Sequence, residues 1–104
     1  MKEKILLYVS HPYGGEKENE KAVQGIIDNL KDEFGDSVAF VSPIHILGSL
    51  YYMIPYLDGL NACLGLLGRC DGILLCGDWQ HSRGCMAEYG YAIAKGIPCI
   101  EVKL

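Results

Sequence analysis

A chain of 104 residues, half of them apolar and 21% charged, is long enough for one hydrophobic core and too short for two. Its formal net charge of −4 argues against a partner that is a nucleic-acid polymer or an anionic membrane, since both call for a basic patch; a local anion site stays open. No stretch approaches the roughly 20 apolar residues of a membrane span. The five cysteines form no C-x-x-C pair and read as reduced core thiols of a cytoplasmic protein, with neither a disulfide framework nor a zinc site indicated.

In chain order, Lys4 to Val9 is a continuous apolar run, which predicts a strand covered on both faces. A signal core is the other reading of this run, but no small-residue cleavage site follows it, so a buried first strand is expected. The turn-rich "SHPYGGEKEN" predicts a loop. Ala22, Val23, Ile26, Ile27 and Leu30 then recur at helical spacing, predicting a helix from about Asn19 to Phe34 ended by Gly35 and Asp36. "SVAFVS" is a second strand, and Pro43 to about Ser49 a connecting loop. From Leu50 to Arg69 a stripe of Tyr52, Tyr56, Leu60, Leu64 and Leu67 predicts a helix, with Pro55 near its first turn. "DGILLC" is a third buried strand, residues 85–95 a helix closed by Gly96, and Pro98 to Val102 the last strand.

The alternation is β-α-β-α-β-α-β without linker or repeat. It predicts one α/β domain over residues 1–104: a Rossmann-like (flavodoxin-like) parallel sheet of about four to five strands flanked by helices, in the order 2-1-3-4. Ligands in such folds bind beyond the carboxyl ends of the strands, near the switch point in strand order. Three segments meet there: Ser10 to Glu16, Ser42 to Ser49, and Gly77 to Gly84.

Glu88 lies about one turn inside the helix that opens near Gly84. It has two readings: an acid complementing the positive end of the helix dipole, or a carboxylate held at the mouth of the sheet as nucleophile or base. The small neighbours Ala87, Gly90, Ala92 and Ala94 allow that helix to lie close to the sheet. Ser82, Arg83 and Gly84 at the helix start suit a phosphate, or else Ser82 is an N-cap and Arg83 a solvated charge. In the first loop His11, Pro12, Tyr13, Gly14 and Gly15 give a ligand access to the backbone and a ring to stack on, although a tight turn explains the glycines equally well. Trp79 lines a base pocket or covers the core edge. His11, His45 and His81 all fall in ligand-side loops, but their spacing matches no recognised ligand pattern and no metal is expected. Asp78 and Asp58 are possible second carboxylates; Asp71 falls at the opposite end of the sheet.

Taken together, "YVSHPYGG", "CDGILLCGDW" and "SRGCMAEYGYAIAKGIPCI" resemble the nucleoside 2-deoxyribosyltransferase superfamily, and most of all its small deoxyribosyltransferase-like branch. That branch carries an S-G-P-Y-type first loop, a C-D-x-hydrophobic strand and a G-W-x-x-S-x-G-x-x-x-E block. Here the block is Gly77, Asp78, Trp79, Gln80, His81, Ser82, Arg83, Gly84 and then Glu88, with one extra residue between Gly77 and Trp79 unless Asp78 replaces the branch's glycine. The resemblance implies that Glu88 attacks the anomeric carbon of a nucleoside or nucleotide and displaces the base. In the related 2′-deoxynucleoside 5′-phosphate N-hydrolases a serine matching Ser82 helps hold the phosphate, whereas the transferases often have aspartate there. By the same analogy Tyr13 sits near the sugar or the nucleophile, Ser10 joins the first-loop residues that bind the substrate, and either Asp78 or Asp58 supplies the proton for the leaving base. No cofactor and a homodimer or larger homo-oligomer are implied. The rival expectation is a non-catalytic nucleotide-binding or sensor module, favoured by the want of a clear second acid.

Overall fold

The computed structural model describes residues 3–103. Four strands, β1 (Ile5–Ser10), β2 (Val38–Val41), β3 (Gly72–Leu75) and β4 (Cys99–Glu101), form an all-parallel sheet in the order β2-β1-β3-β4. Leu7 of β1 lies opposite Phe40 of β2 on one side and Gly72 of β3 on the other, and Ser10 ends level with Leu75. Four helices flank the sheet: α1 (Lys17–Phe34), α2 (Pro43–Leu47), α3 (Tyr56–Leu67) and α4 (Arg83–Lys95).

Because side chains alternate along a strand, the two faces of the sheet build separate cores. Leu7 and Val9 of β1 and Leu74 of β3 pack with Val23 and Leu30 of α1 and with Ile44 of α2. Tyr8 of β1 and Ile73 and Leu75 of β3 face the other way, onto Leu67 of α3 and Ala92 of α4. Val23, Leu67, Ile73 and Leu74 are essentially fully enclosed, and each such side chain stabilises the fold by about 1.5–3 kcal/mol. The chain leaves β1 leftward through α1 and returns across it to β3 through α2 and α3. The switch point therefore lies at the carboxyl ends of β1 and β3.

Helix bounds differ from the sequence reading chiefly in two places. Pro43 to Ser49 is not a plain loop: Pro43–Leu47 is helical, followed by a 3-10 turn over Gly48–Leu50. The Ser42 hydroxyl accepts from the His45 N–H at 3.4 Å with proline as the first helical residue, a start signal lodged within a turn-rich stretch. The next helix begins only at Tyr56, with Pro55 as its N-cap. Proline lacks an N–H and disfavours helical geometry in the residue before it, so the expected stripe loses its first member, and Tyr52 stands 82% exposed. Elsewhere α1 starts two residues earlier than predicted, and Gly96 caps α4 at φ +72°, a left-handed conformation suited to glycine. Among the described residues no helix is long and apolar enough to cross a membrane.

Candidate active site

The floor of the site is made by β1. Tyr8 and Ser10 stand two residues apart on the face that meets α4, and both are completely buried. The Tyr8 hydroxyl donates to Glu88 Oε2, and the Ser10 hydroxyl donates to Glu88 Oε1 at 2.7 Å. Glu88 itself is only 7% exposed. Burial pushes its carboxyl above the ordinary glutamate range, and the two hydroxyl bonds pull the other way by favouring the anion. Burial, reinforced by the Glu88 charge, drives the Tyr8 phenol far up, so Tyr8 remains a neutral donor. The carboxylate is thus held at both oxygens, with only one of two lone pairs on each atom engaged.

Above Glu88 opens a cleft of about 250 Å³. One wall is the loop after β1, with His11, Tyr13 and Gly14. The opposite wall runs from Pro43 through Leu60 and includes Ile44, Leu47, Tyr51, Ile54 and Tyr56, and the start of α4 adds Ser82, Gly84 and Cys85. Tyr13 and Tyr51 meet edge to face at 5.1 Å between ring centres. Arg83 does not line the cleft; its guanidinium stacks on the Tyr56 ring at 5.4 Å. His11 Nδ1 donates to the Pro12 carbonyl at 2.7 Å. Gly77 at φ +62° closes the loop after β3 against that ring; a Cβ there would meet His11 Nε2 at 2.8 Å.

The structure brings together Glu88, Ser10, His11, Tyr13, Gly14, Ser82 and Gly84, and places other candidates apart. Ser82 serves as N-cap of α4, its hydroxyl accepting from the Cys85 N–H at 3.2 Å. Asp78 is exposed and pairs with His81 at 2.6 Å, a hydrogen bond that raises the His81 imidazole above its usual range. Trp79 packs on Tyr89 at 5.2 Å and donates to Glu101 at 3.1 Å, covering the core edge away from the cleft. Gly15 abuts the Tyr52 ring. Asp58 is exposed on α3 and does not line the cleft. Asp71 accepts from the Leu6 N–H at 2.7 Å, at the amino end of the sheet. The three histidines are scattered, and the described residues hold no group of three or more His, Cys, Asp or Glu able to bind a metal ion.

Sequence reasoning missed Tyr8, Cys63, Cys85 and the tyrosines of the far wall. A signal for Tyr8 existed: in "ILLYVS" the hydroxyl-bearing residues stand at positions i and i+2, hence on one face of an otherwise apolar strand. The small-residue argument for α4 also needs narrowing. Ala92 is fully buried against the sheet, whereas Gly90 and Ala94 face outward, and a Cβ at Gly90 would meet nothing within 4 Å.

In fold, the protein is similar to the solved structure of a 2-desoxiribosyltransferase from Leishmania mexicana, with a TM-score of 0.65 and 20% identity. The match covers 93% of this chain but 63% of that one, so the chain spans less than two thirds of that structure's length. A search of the curated proteins found no match. Residues 5–101 match the family described as Domain of unknown function (DUF4406), and the chain belongs to that family.

Proposed function

We propose that the protein cleaves or transfers the N-glycosidic bond of a nucleoside or nucleotide, with Glu88 as the nucleophile. The observation that carries this reading is a buried carboxylate, gripped at both oxygens, on the floor of an aromatic cleft at the switch point of the sheet. A dipole-complementing acid would sit in solvent on the first turn of its helix. Glu88 instead points inward and bears the cost of burial, and costly burial of an ionisable group in a cleft is characteristic of chemistry.

In the proposed reaction a Glu88 oxygen forms a bond to the anomeric carbon while the carbon–nitrogen bond breaks and its electron pair leaves with the base. Water or a second base then displaces the carboxylate, giving net retention. Tyr8 and Ser10 fix the carboxylate so that little reorganisation is needed at attack. Ser82 and the free N–H groups at the start of α4 lie where a 5′-phosphate would be held, with Arg83 close by. A homodimer belongs to the same proposal. The test is base release from a panel of deoxynucleosides and their 5′-monophosphates, followed by chromatography. Wild type should release base and Glu88→Ala should not; equal release by both would reject the assignment.

A second reading, a nucleotide-binding module without turnover, is favoured by one observation. Among the described residues no carboxylic acid other than Glu88 lines the cleft. Calorimetric binding of a nucleotide without turnover, and unchanged in Glu88→Gln, would establish it.

A further inference from the structure

We infer that the substrate is an N-glycoside whose base already carries a positive charge, such as a pyridinium or N-alkylated purinium nucleoside. This deepens the N-glycosidic reading and rests on it. The cleft joins one buried anion to a wall of tyrosines, and among the described residues it offers no second carboxylic acid to a departing base.

Expelling a neutral nucleobase leaves negative charge on its ring nitrogen, so an enzyme of this kind needs a proton donor beside the nucleophile. Among the described residues the nucleophile has no carboxylic acid beside it: Glu88 is the one that lines the cleft, and neither Asp78 nor Asp58 does. The His11 Nδ1 proton is committed to the Pro12 carbonyl. Burial raises the Tyr13 and Tyr56 phenols above their usual range, making them poorer acids still. The Cys63 and Cys85 thiols are raised by burial as well.

A cationic base removes the requirement. When Glu88 attacks the anomeric carbon, the electron pair of the breaking bond returns to the charged ring nitrogen, and the base departs neutral with no proton transferred. Hydrolysis of the glycosyl-Glu88 ester then consumes one water, giving the free sugar, the regenerated carboxylate and one proton released to solvent.

The walls fit the same class. Tyr13 and Tyr51 offer ring faces and edges to a flat ligand, and electron-rich ring faces attract cations, as the Tyr56 ring already does the Arg83 guanidinium. Among the described residues no lysine or arginine lines the cleft itself; the guanidinium of Arg83 stacks on the Tyr56 ring. Beneath the rings the Glu88 charge completes an environment suited to a planar cation.

The experiment compares nicotinamide 2′-deoxyriboside with 2′-deoxyadenosine, each also as its 5′-monophosphate, using wild type and Glu88→Gln. Binding of 1-methylnicotinamide and of uncharged nicotinamide is measured by calorimetry on both proteins. The proposal expects kcat/KM for the cationic glycoside to exceed that for the neutral one by about 10²-fold or more, the scale of one general acid. It also expects loss of that activity in Glu88→Gln, and binding of the methylated cation by wild type in preference to nicotinamide. Glu88-dependent cleavage of the neutral nucleoside at an equal or higher rate would overturn this inference and leave the N-glycosidic reading intact. Release of base from neither class would overturn that reading and this inference with it.

Discussion

Glu88 spends stability for position. A buried carboxyl with a raised pKa holds its proton more tightly in the folded than in the unfolded chain. The associated penalty is absent below the ordinary value of 4.5, grows as pH rises from there through the raised folded value, and is constant above it. Glu88→Gln removes the charge while keeping groups that can bond both hydroxyls. Its melting temperature should exceed that of wild type at pH 7 and converge with it at pH 4; equal melting at pH 7 would contradict the account. Besides the Ser10 hydroxyl, the groups facing Glu88 are Tyr8 from β1, Cys63 and Tyr56 from α3 and Cys85 from α4. None is cationic. Tyr8→Phe should destabilise by about 1–3 kcal/mol in denaturant titrations, because it strands Oε2 in the interior. It should also move the acid limb of base release to higher pH, by removing a bond that favours the anion. The position of Glu88 past Ser82 and Gly84 left two readings open in the sequence, a dipole-complementing acid or a nucleophile, and only the family resemblance favoured the second. The hydroxyl partners of Glu88 were not legible, because Tyr8 is amphipathic and in an apolar strand it reads as core.

At the level of elements, α4 shows how one residue can serve both fold and site. Ser82 caps the helix through the Cys85 N–H, so Ser82→Ala should cost about 1 kcal/mol in chemical denaturation. Ser82→Asp preserves a cap but adds negative charge where a phosphate is proposed to bind. It should keep near-wild-type stability while raising KM for nucleoside monophosphates more than for nucleosides. An equal change for both would remove Ser82 from phosphate binding. The helices and strands at the two ends of the chain follow directly from hydrophobic period and glycine stops. Residues 43–56 do not, because Pro43 begins a helix and Pro55 forbids one before Tyr56 within a mostly apolar stretch interrupted by His45, Gly48 and Ser49. That stretch is the far wall of the cleft, so the part of the fold hardest to read was also the part that shapes the pocket.

At the scale of the whole molecule, parallel strands with crossovers on both faces make the site a product of topology. The sheet order was legible because alternating elements admit few arrangements. The meeting of Pro43–Leu60 with Glu88 was not, since contacts between remote turns leave no local period. The thiols report on this assembly. Cys63 and Cys99 are half-buried, whereas Cys70, Cys76 and Cys85 are buried. In the native protein, iodoacetamide should label the first pair before the other three, as followed by peptide mass spectrometry. A bound nucleotide should slow Cys63, which lines the cleft, and leave Cys99 unchanged; equal slowing of both would mean binding elsewhere.

The alternation of β1 has a consequence for how the chain finds its sheet. Slipping β1 by one residue would turn Leu7 and Val9 toward α4 and carry Tyr8 and Ser10 to the α1 side. Glu88 would then lose both of its hydroxyl donors. Misaligned pairings would thus be penalised by several kcal/mol for an unpaired buried charge, where an apolar residue at position 88 would tolerate them. The proposed nucleophile therefore doubles as a proofreader of strand register, making the correct alignment the one in which its charge is answered.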